Sequence, residues 1–145
     1  VCSSDLQLPA DRESLFWVTV ANIPQADSQQ QNTLQIAVRS RMKLFYRPKG
    51  VQGDSQQAYR QLRWQRQGKT VTVQNPTPFY VTLLNMQANG QSIAGAGMVA
   101  PFSSRTAAWC PAQGGCALQW QTLNDYGRAM PAMHISPDTQ ARKGQ

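Results

Sequence analysis

The most constraining feature of the sequence is an uninterrupted stretch at residues 32–48, NTLQIAVRSRMKLFYRP, with no glycine and no proline before its last residue. Leu34, Ile36 and Val38 alternate with other residue types, which is the period-two pattern of an extended strand. The sixteen residues before Pro48 would span about 50 Å at about 3.3 Å each, whereas a usual strand has about five or six residues. The stretch therefore predicts one strand that extends beyond its own sheet.

The pattern leaves two interpretations of this strand open. In the first, its aliphatic stripe is lent to another protein whose sheet lacks a strand. In the second, it is a long, bent hairpin strand whose aliphatic residues fill the protein's own core. The pattern alone favours the second interpretation.

Composition favours a folded all-β protein. Hydrophobic residues make up 41% of the 145 residues and charged residues 14%, as in globular proteins rather than disordered tails. Nine prolines and ten glycines separate short apolar runs, which indicates many turns and short strands. Beside a strand at residues 13–22, we predict a set of short strands that fits an antiparallel sandwich: 62–65, 70–74, 79–86, 98–101, 105–110, 116–122 and 130–135.

The charge balance is basic, with 14 Lys and Arg against 7 Asp and Glu and a net charge of +7. These basic residues are dispersed through strands and turns, with no arginine-rich tract and no basic motif interleaved with aromatic residues. We therefore expect no nucleic-acid binding. No apolar run reaches the length of a membrane span, so we expect no direct membrane insertion either.

The cysteines point to an oxidising compartment. Cys110 and Cys116 bracket the turn-rich segment PAQGG, which predicts a hairpin disulfide between two neighbouring, paired strands. Two cysteines and the single His134, without clustered carboxylates, fall short of four metal ligands. We therefore expect no metal site. Cys2 has no obvious partner.

Signs of an enzyme are weak in this sequence. His134 is the only histidine, and no Ser or Cys motif beside it supplies an activated nucleophile. Gly95 and Gly97 lack the third glycine and the helix of a dinucleotide site, so we expect no cofactor. The four tryptophans are expected in the core rather than at a cofactor: Trp17, Trp64, Trp109 and Trp120.

Four motifs, in order along nearly the whole chain, resemble the PapD-like periplasmic chaperones of chaperone–usher pilus assembly. They are LPADRES at residues 8–14, the stretch at 32–48, NPTP at 75–78 and NDYG at 124–127. The resemblance implies immunoglobulin-like sandwich domains and a non-enzymatic function in the periplasm. It implies binding of pilus or fimbrial subunits by donor-strand complementation and their delivery to an outer-membrane usher.

The resemblance also implies a domain division. Residues 1–47 correspond to the final hairpin of a first immunoglobulin-like domain, and residues 48–145 to a second domain. The missing strands and a signal peptide are expected upstream, and residues 1–6 match nothing in the family at that place. The short polar loop at 23–31 resembles the subclass with a brief connection between the last two strands of the first domain, which is associated with rod-like pili.

Family resemblance assigns three kinds of site. Lys43 corresponds to the lysine that anchors the C-terminal carboxylate of a pilus subunit in the interdomain cleft, together with an arginine from a first strand that is not in this sequence. Leu34, Ile36 and Val38 correspond to the donor residues. Strict alternation places Lys43 on the face opposite to those three residues, which predicts a bulge or twist between them.

The third site is a charged trio that links the two domains, namely Glu13, Arg47 and Asp125. Two carboxylates around one guanidinium suit bidentate pairing, and the role implied is structural, fixing the angle between the domains. Two alternatives to the chaperone function remain at this point: an extracellular immunoglobulin-like adhesive or pilin-like binding module, and a basic β domain that binds nucleic acid.

Overall fold

The structure, a computed structural model, describes residues 7–25, 34 and 36–137. Strands β1 (Ser14–Asn22) and β2 (Val38–Tyr46) form a two-stranded hairpin, and the eight later strands form a sandwich. Those strands are β3 (Arg63–Gln67), β4 (Thr70–Asn75), β5 (Val81–Ala88), β6 (Gln91–Ser92), β7 (Met98–Val99), β8 (Ser103–Ala107), β9 (Leu118–Thr122) and β10 (Met133–Ile135). A short 3₁₀ helix, Ala58–Gln61, precedes β3.

The sandwich consists of two antiparallel sheets around one core. One sheet has the order β10-β9-β5-β6, with β7 also beside β5, and the other has the order β3-β4-β8. Both sheets contribute large buried side chains: Trp64, Val71, Val73, Val81, Leu83, Met86, Leu118 and Trp120. The described part of the chain contains no helix long and apolar enough to cross a membrane.

Alternation of residue type explains most of these strands. In β4 the buried Val71 and Val73 alternate with the less buried Thr70 and Thr72, as expected for a strand with one face on the core. Strand β5 changes phase at Asn85, which has a φ of +47° where the register with β9 shifts. This bulge keeps the second half of β5 directed into the core, which strict alternation would turn outward.

Turn chemistry fixes the connections at two places. Asn89 and Gly90, with φ of +50° and +79°, form the tight turn between β5 and β6 that an Asn-Gly pair predicts. Asn75, the last residue of β4, is fully buried at the corner that follows. Its side-chain amide donates to the carbonyls of Phe79 and Ala100 at 2.6 and 3.1 Å, and its oxygen accepts from the Thr77 backbone N–H.

The long strand predicted at residues 32–47 is shorter in the structure. Strand β2 begins at Val38, opposite Asn22 at the end of β1. Pro24 follows shortly after and has no N–H to donate, so β1 cannot extend the ladder much further. Leu34 and Ile36 lie outside the strand, and Asn32, Thr33 and Gln35 lie outside the described residues.

The predicted bulge between the donor residues and Lys43 does not occur in β2. The pairing of β1 with β2 runs without a shift from Ser14 opposite Tyr46 to Asn22 opposite Val38. Val38 and Lys43 therefore lie on opposite faces of the hairpin, because successive strand residues point to opposite sides. Of the three donor residues and Lys43, only Val38 and Lys43 belong to β2, and they occupy different faces of it.

The disulfide between Cys110 and Cys116 is present, with a Cα–Cα distance of 5.7 Å, but it does not close a hairpin. Strand β8 pairs with β4, whereas β9 pairs with β5 and β10. The predicted pairing of the two flanking strands is therefore wrong, because the connection crosses from one sheet to the other. Arg66 holds the loop by donating to the carbonyls of Pro111 and Gly114 at 2.8 and 2.9 Å.

We predict that the double substitution Cys110→Ala/Cys116→Ala lowers the free energy of unfolding by about 2 kcal/mol, the loop-entropy value for so short a loop. Denaturant titration followed by tryptophan fluorescence measures the change. Dithiothreitol should lower the wild-type midpoint to that of the variant and leave the variant unaffected. Equal midpoints for the oxidised wild type and the variant would contradict the prediction.

Candidate functional site

A cleft of about 550 Å³ separates the hairpin from the sandwich. Strand β2 contributes Lys43 and Phe45 to one wall, and Tyr80 and Thr82 lie on the opposite wall. The rings of Phe45 and Tyr80 contact across the cleft with centroids 5.3 Å apart. The charged residues Glu13, Arg47 and Asp125 line the same cleft.

The structure brings Glu13, Arg47 and Asp125 into direct contact. The Arg47 Nε donates to Glu13 Oε1 at 2.8 Å. Its two terminal nitrogens donate to the two oxygens of Asp125 at 2.9 and 3.0 Å. One guanidinium thus binds a carboxylate beside the hairpin and a carboxylate from the sandwich, with the fork geometry that favours arginine over lysine.

Glu13 is the most constrained member of this trio. Its side chain is only 4% exposed, and a buried carboxylate is unfavourable unless paired and hydrogen-bonded. Its Oε2 accepts from the backbone N–H of Tyr80 at 2.7 Å, and its own backbone N–H donates to the carbonyl of Pro78 at 2.9 Å. Glu13 therefore fixes the start of β1 to the segment that leads into β5.

Asp125 completes the trio from the exposed side. Ser55 Oγ donates to its Oδ2 at 2.9 Å, beside the two bonds from Arg47. The hydrogen bonds from Arg47, aided by Ser55, hold the pKa of Asp125 below its usual value. The same pairing raises the pKa of Arg47 further above its usual value.

Lys43 lies in the cleft without an acidic partner among the described residues. Its Nζ is 5.5 Å from the centre of the Trp17 ring and 3.6 Å from Met98 Sδ. Trp17 faces Lys43 across the hairpin. The ammonium donates one hydrogen bond to the thioether and lies against an aromatic ring, which leaves its other donors for an external anion.

The three proposed donor residues are exposed. Leu34, Ile36 and Val38 are 85%, 67% and 58% exposed, respectively. Within the described part of the chain, none of them packs into a core. The sandwich core is complete without them, since its buried cluster is drawn from residues 58–120.

Two features were missed by sequence reasoning. Trp17, expected in the core, is 48% exposed and lies under the guanidinium of Arg41 at 4.1 Å from its ring centre. The guanidinium of Arg12 lies 4.9 Å from the centre of the exposed Phe102 ring. Both are cation–aromatic pairs between residues far apart in sequence, so no local pattern reveals them.

A metal site in a protein requires several clustered ligands. No group of three or more His, Cys, Asp or Glu residues that could hold a metal ion occurs among the described residues.

Comparison with known proteins gives consistent matches. The family description "Pili assembly chaperone PapD, C-terminal domain" matches residues 57–134, and "Pili and flagellar-assembly chaperone, PapD N-terminal domain" matches residues 1–52. The uncharacterized fimbrial chaperone YcbF of Escherichia coli K12 is 42% identical over 83% of this chain and 50% of its own length. Chaperone protein FimC of the same strain is 40% identical over 88% of this chain and 53% of its own length.

Solved structures agree with these matches. The Salmonella enterica structure of the SafA pilin in complex with the SafB chaperone matches with a TM-score of 0.75 and 31% identity, over 89% of this chain and 62% of that chain. The Escherichia coli chaperone DraB matches with a TM-score of 0.72 and 35% identity, over 89% of this chain and 61% of that chain. The chain spans about half the length of the curated relatives it matches.

We predict that Arg47→Ala lowers the free energy of unfolding by about 2–4 kcal/mol, because it leaves the buried Glu13 carboxylate without its cation. Denaturant titration of both proteins measures the loss. Adding Glu13→Gln to this variant should restore part of the stability by removing the unpaired charge. Arg63→Ala, on the exposed face of β3, is the matched control, and an equal loss in that control would contradict the prediction.

The lowered pKa of Asp125 predicts a contribution to stability that depends on pH. Asp125 binds its proton more weakly in the folded protein, so the contribution is fully present above the unfolded value near 3.8 and is lost as pH falls through the lower folded pKa. The stability difference between wild type and Asp125→Asn should be at most about 1 kcal/mol at pH 7, since the pair is partly exposed. Unfolding curves between pH 7 and pH 2.5 should show this difference shrinking, and a difference that grows on acidification would refute it.

Proposed function

Because the chain belongs to the family of PapD-like pilus-assembly chaperones, we propose that it binds pilus subunits by donor-strand complementation and delivers them to an outer-membrane usher. Members of this family are chaperones and not enzymes. The family assignment also displaces the adhesive module and the nucleic-acid-binding domain as alternatives. One related structure is described as the periplasmic chaperone SfaE, and the disulfide fits that oxidising compartment.

The observation that carries the proposal is the position of Lys43 beside a free strand edge. Among the described residues β2 pairs only with β1, so its other edge has unpaired backbone groups that can accept an added strand. Lys43 lies in the cleft at one end of that edge, and no carboxylate of the described ranges pairs with it. We assign it the C-terminal carboxylate of the bound subunit, which its ammonium satisfies with charge-assisted hydrogen bonds.

Leu34, Ile36 and Val38 are the donor residues in this proposal. Each one stabilises a complex by about 1.5–3 kcal/mol if a subunit's groove buries it fully. Within the described part of the chain these side chains are exposed, which is compatible with their burial in a subunit's groove. Strand addition at the same time satisfies the backbone groups along β2.

We assign the trio of Glu13, Arg47 and Asp125 the task of fixing the hairpin against the sandwich. In this proposal the hairpin, within residues 1–47, closes a first immunoglobulin-like domain, and residues 48–145 form the second. The trio spans that boundary, because Arg47 directly follows β2. A fixed angle keeps Lys43 on the wall of the cleft, where this proposal places the end of a subunit strand.

We predict that Lys43→Ala, made in the full-length protein, weakens binding of the cognate pilus subunit roughly ten- to a hundredfold, because one charge-assisted anchor is lost. Protection of the subunit from proteolysis, titrated against chaperone concentration, measures this. Lys69→Ala, in the exposed turn between β3 and β4, is the matched control and should protect like wild type. Full protection by the Lys43→Ala variant would overturn the proposed anchor.

A further inference from the structure

One face of the hairpin carries a row of three cations on alternate residues of β2. Arg39, Arg41 and Lys43 are all exposed or line the cleft, and they point to the same side because they are two positions apart. We call this row the basic track. The next residue on that face, Phe45, contacts Tyr80 across the cleft, so the track leads from the cleft outward along the strand.

No acidic side chain on the two described strands of the hairpin balances the track. Strands β1 and β2 contain no Asp or Glu, and the nearby Glu13 is already bound by Arg47. Arg41 is moreover held in place, because its guanidinium lies over the Trp17 ring at 4.1 Å. Three aligned cations at intervals of about 7 Å form a surface that complements an equally spaced row of carboxylates.

The opposite face of the same hairpin is apolar. It presents Val18, Val20, Val38, Met42 and Leu44, each about 40% exposed or more. A strand added to the free edge of β2 continues both faces, since neighbouring strands share the alternation of the pleat. The added strand therefore needs apolar residues on one side and residues compatible with cations on the other.

From this geometry we infer that the basic track reads acidic residues at alternate positions before the C-terminus of the bound subunit. The inference rests on the proposed function, which places the terminal carboxylate at Lys43. Little of β2 lies beyond Lys43, since the strand ends at Tyr46. A subunit strand whose C-terminus is at Lys43 must therefore have its preceding residues beside Arg41 and Arg39. Such a strand runs parallel to β2. The residues two and four positions before its C-terminus then lie beside Arg41 and Arg39.

Binding of short peptides to the full chain tests this inference. The acid peptide is a fluorescein-labelled ten-residue strand with Asp at two and four positions before a free C-terminal carboxylate and Val at the intervening positions. The amide peptide, named for its side chains, has Asn in place of both Asp residues and keeps the free C-terminal carboxylate. A second pair of peptides has the same Asp and Asn sequences, but their C-terminal carboxylate is amidated. Fluorescence anisotropy measures the dissociation constants at low and high salt.

The acid peptide should bind roughly four- to twenty-five-fold more tightly than the amide peptide, at about two- to fivefold for each exposed cross-strand charge pair. Arg41→Gln should weaken binding of the acid peptide roughly two- to fivefold and leave the amide peptide unchanged. Arg63→Gln, an exposed strand arginine in the sandwich, should change neither. High salt should reduce the preference for Asp, because these charges are exposed.

The two pairs of peptides separate this inference from the proposed anchor. If Asp and Asn peptides bind equally while amidation weakens both, the basic track does not read acidic residues and the anchor at Lys43 stands. If the preference for Asp persists but amidation has no effect, the anchor fails and the inference falls with its premise about register. If no peptide binds at any salt concentration, both are overturned.

Discussion

The arrangement of the described chain depends on one buried carboxylate. Glu13 connects the hairpin to the sandwich by accepting from the Tyr80 backbone and from Arg47, which in turn binds Asp125. Burying that charge is favourable only because the Arg47 guanidinium and the Tyr80 backbone N–H both bind it. The cleft, the contact between Phe45 and Tyr80 and the position of Lys43 all follow from the orientation that this connection sets.

The hairpin is useful because its two faces differ. An unbroken register puts most of the aliphatic residues on one side and the three cations on the other. A regular two-stranded ladder thus provides an apolar surface, a charged surface and a free edge with very few residues. The proposed function uses all three: burial for the subunit's groove, pairing for the backbone and charge for the chain end.

The sequence predicted the sandwich well where local chemistry decides the outcome. Alternation located β4, and the Asn-Gly pair located the turn after β5. Prediction from the sequence failed where the structure depends on a distant partner strand. The period-two alternation of β2 extends back to Leu34, but a ladder ends where its neighbour ends, and Pro24 follows the last residue of β1 by two positions. Likewise, the turn residues around Cys110 indicate a reversal of direction without indicating which sheet the chain enters next.

In the candidate site too, some features were predictable from sequence motifs and others depend on contacts between distant residues. Motif resemblance was sufficient to name Glu13, Arg47 and Asp125, which are separated by 34 and 78 positions and come into contact in the structure. The stacking of Arg41 on Trp17 carries no signature in either strand alone, since it arises from the register between them.

The crossing disulfide has a consequence for the order of folding. Only six positions separate its cysteines, so the bond can form in a nascent chain before any distant strands have met, at little cost in loop entropy. Once formed, it keeps the outgoing end of β8 close to the incoming end of β9, although these strands belong to different layers. Early oxidation would thereby shorten the conformational search by which the two layers find each other.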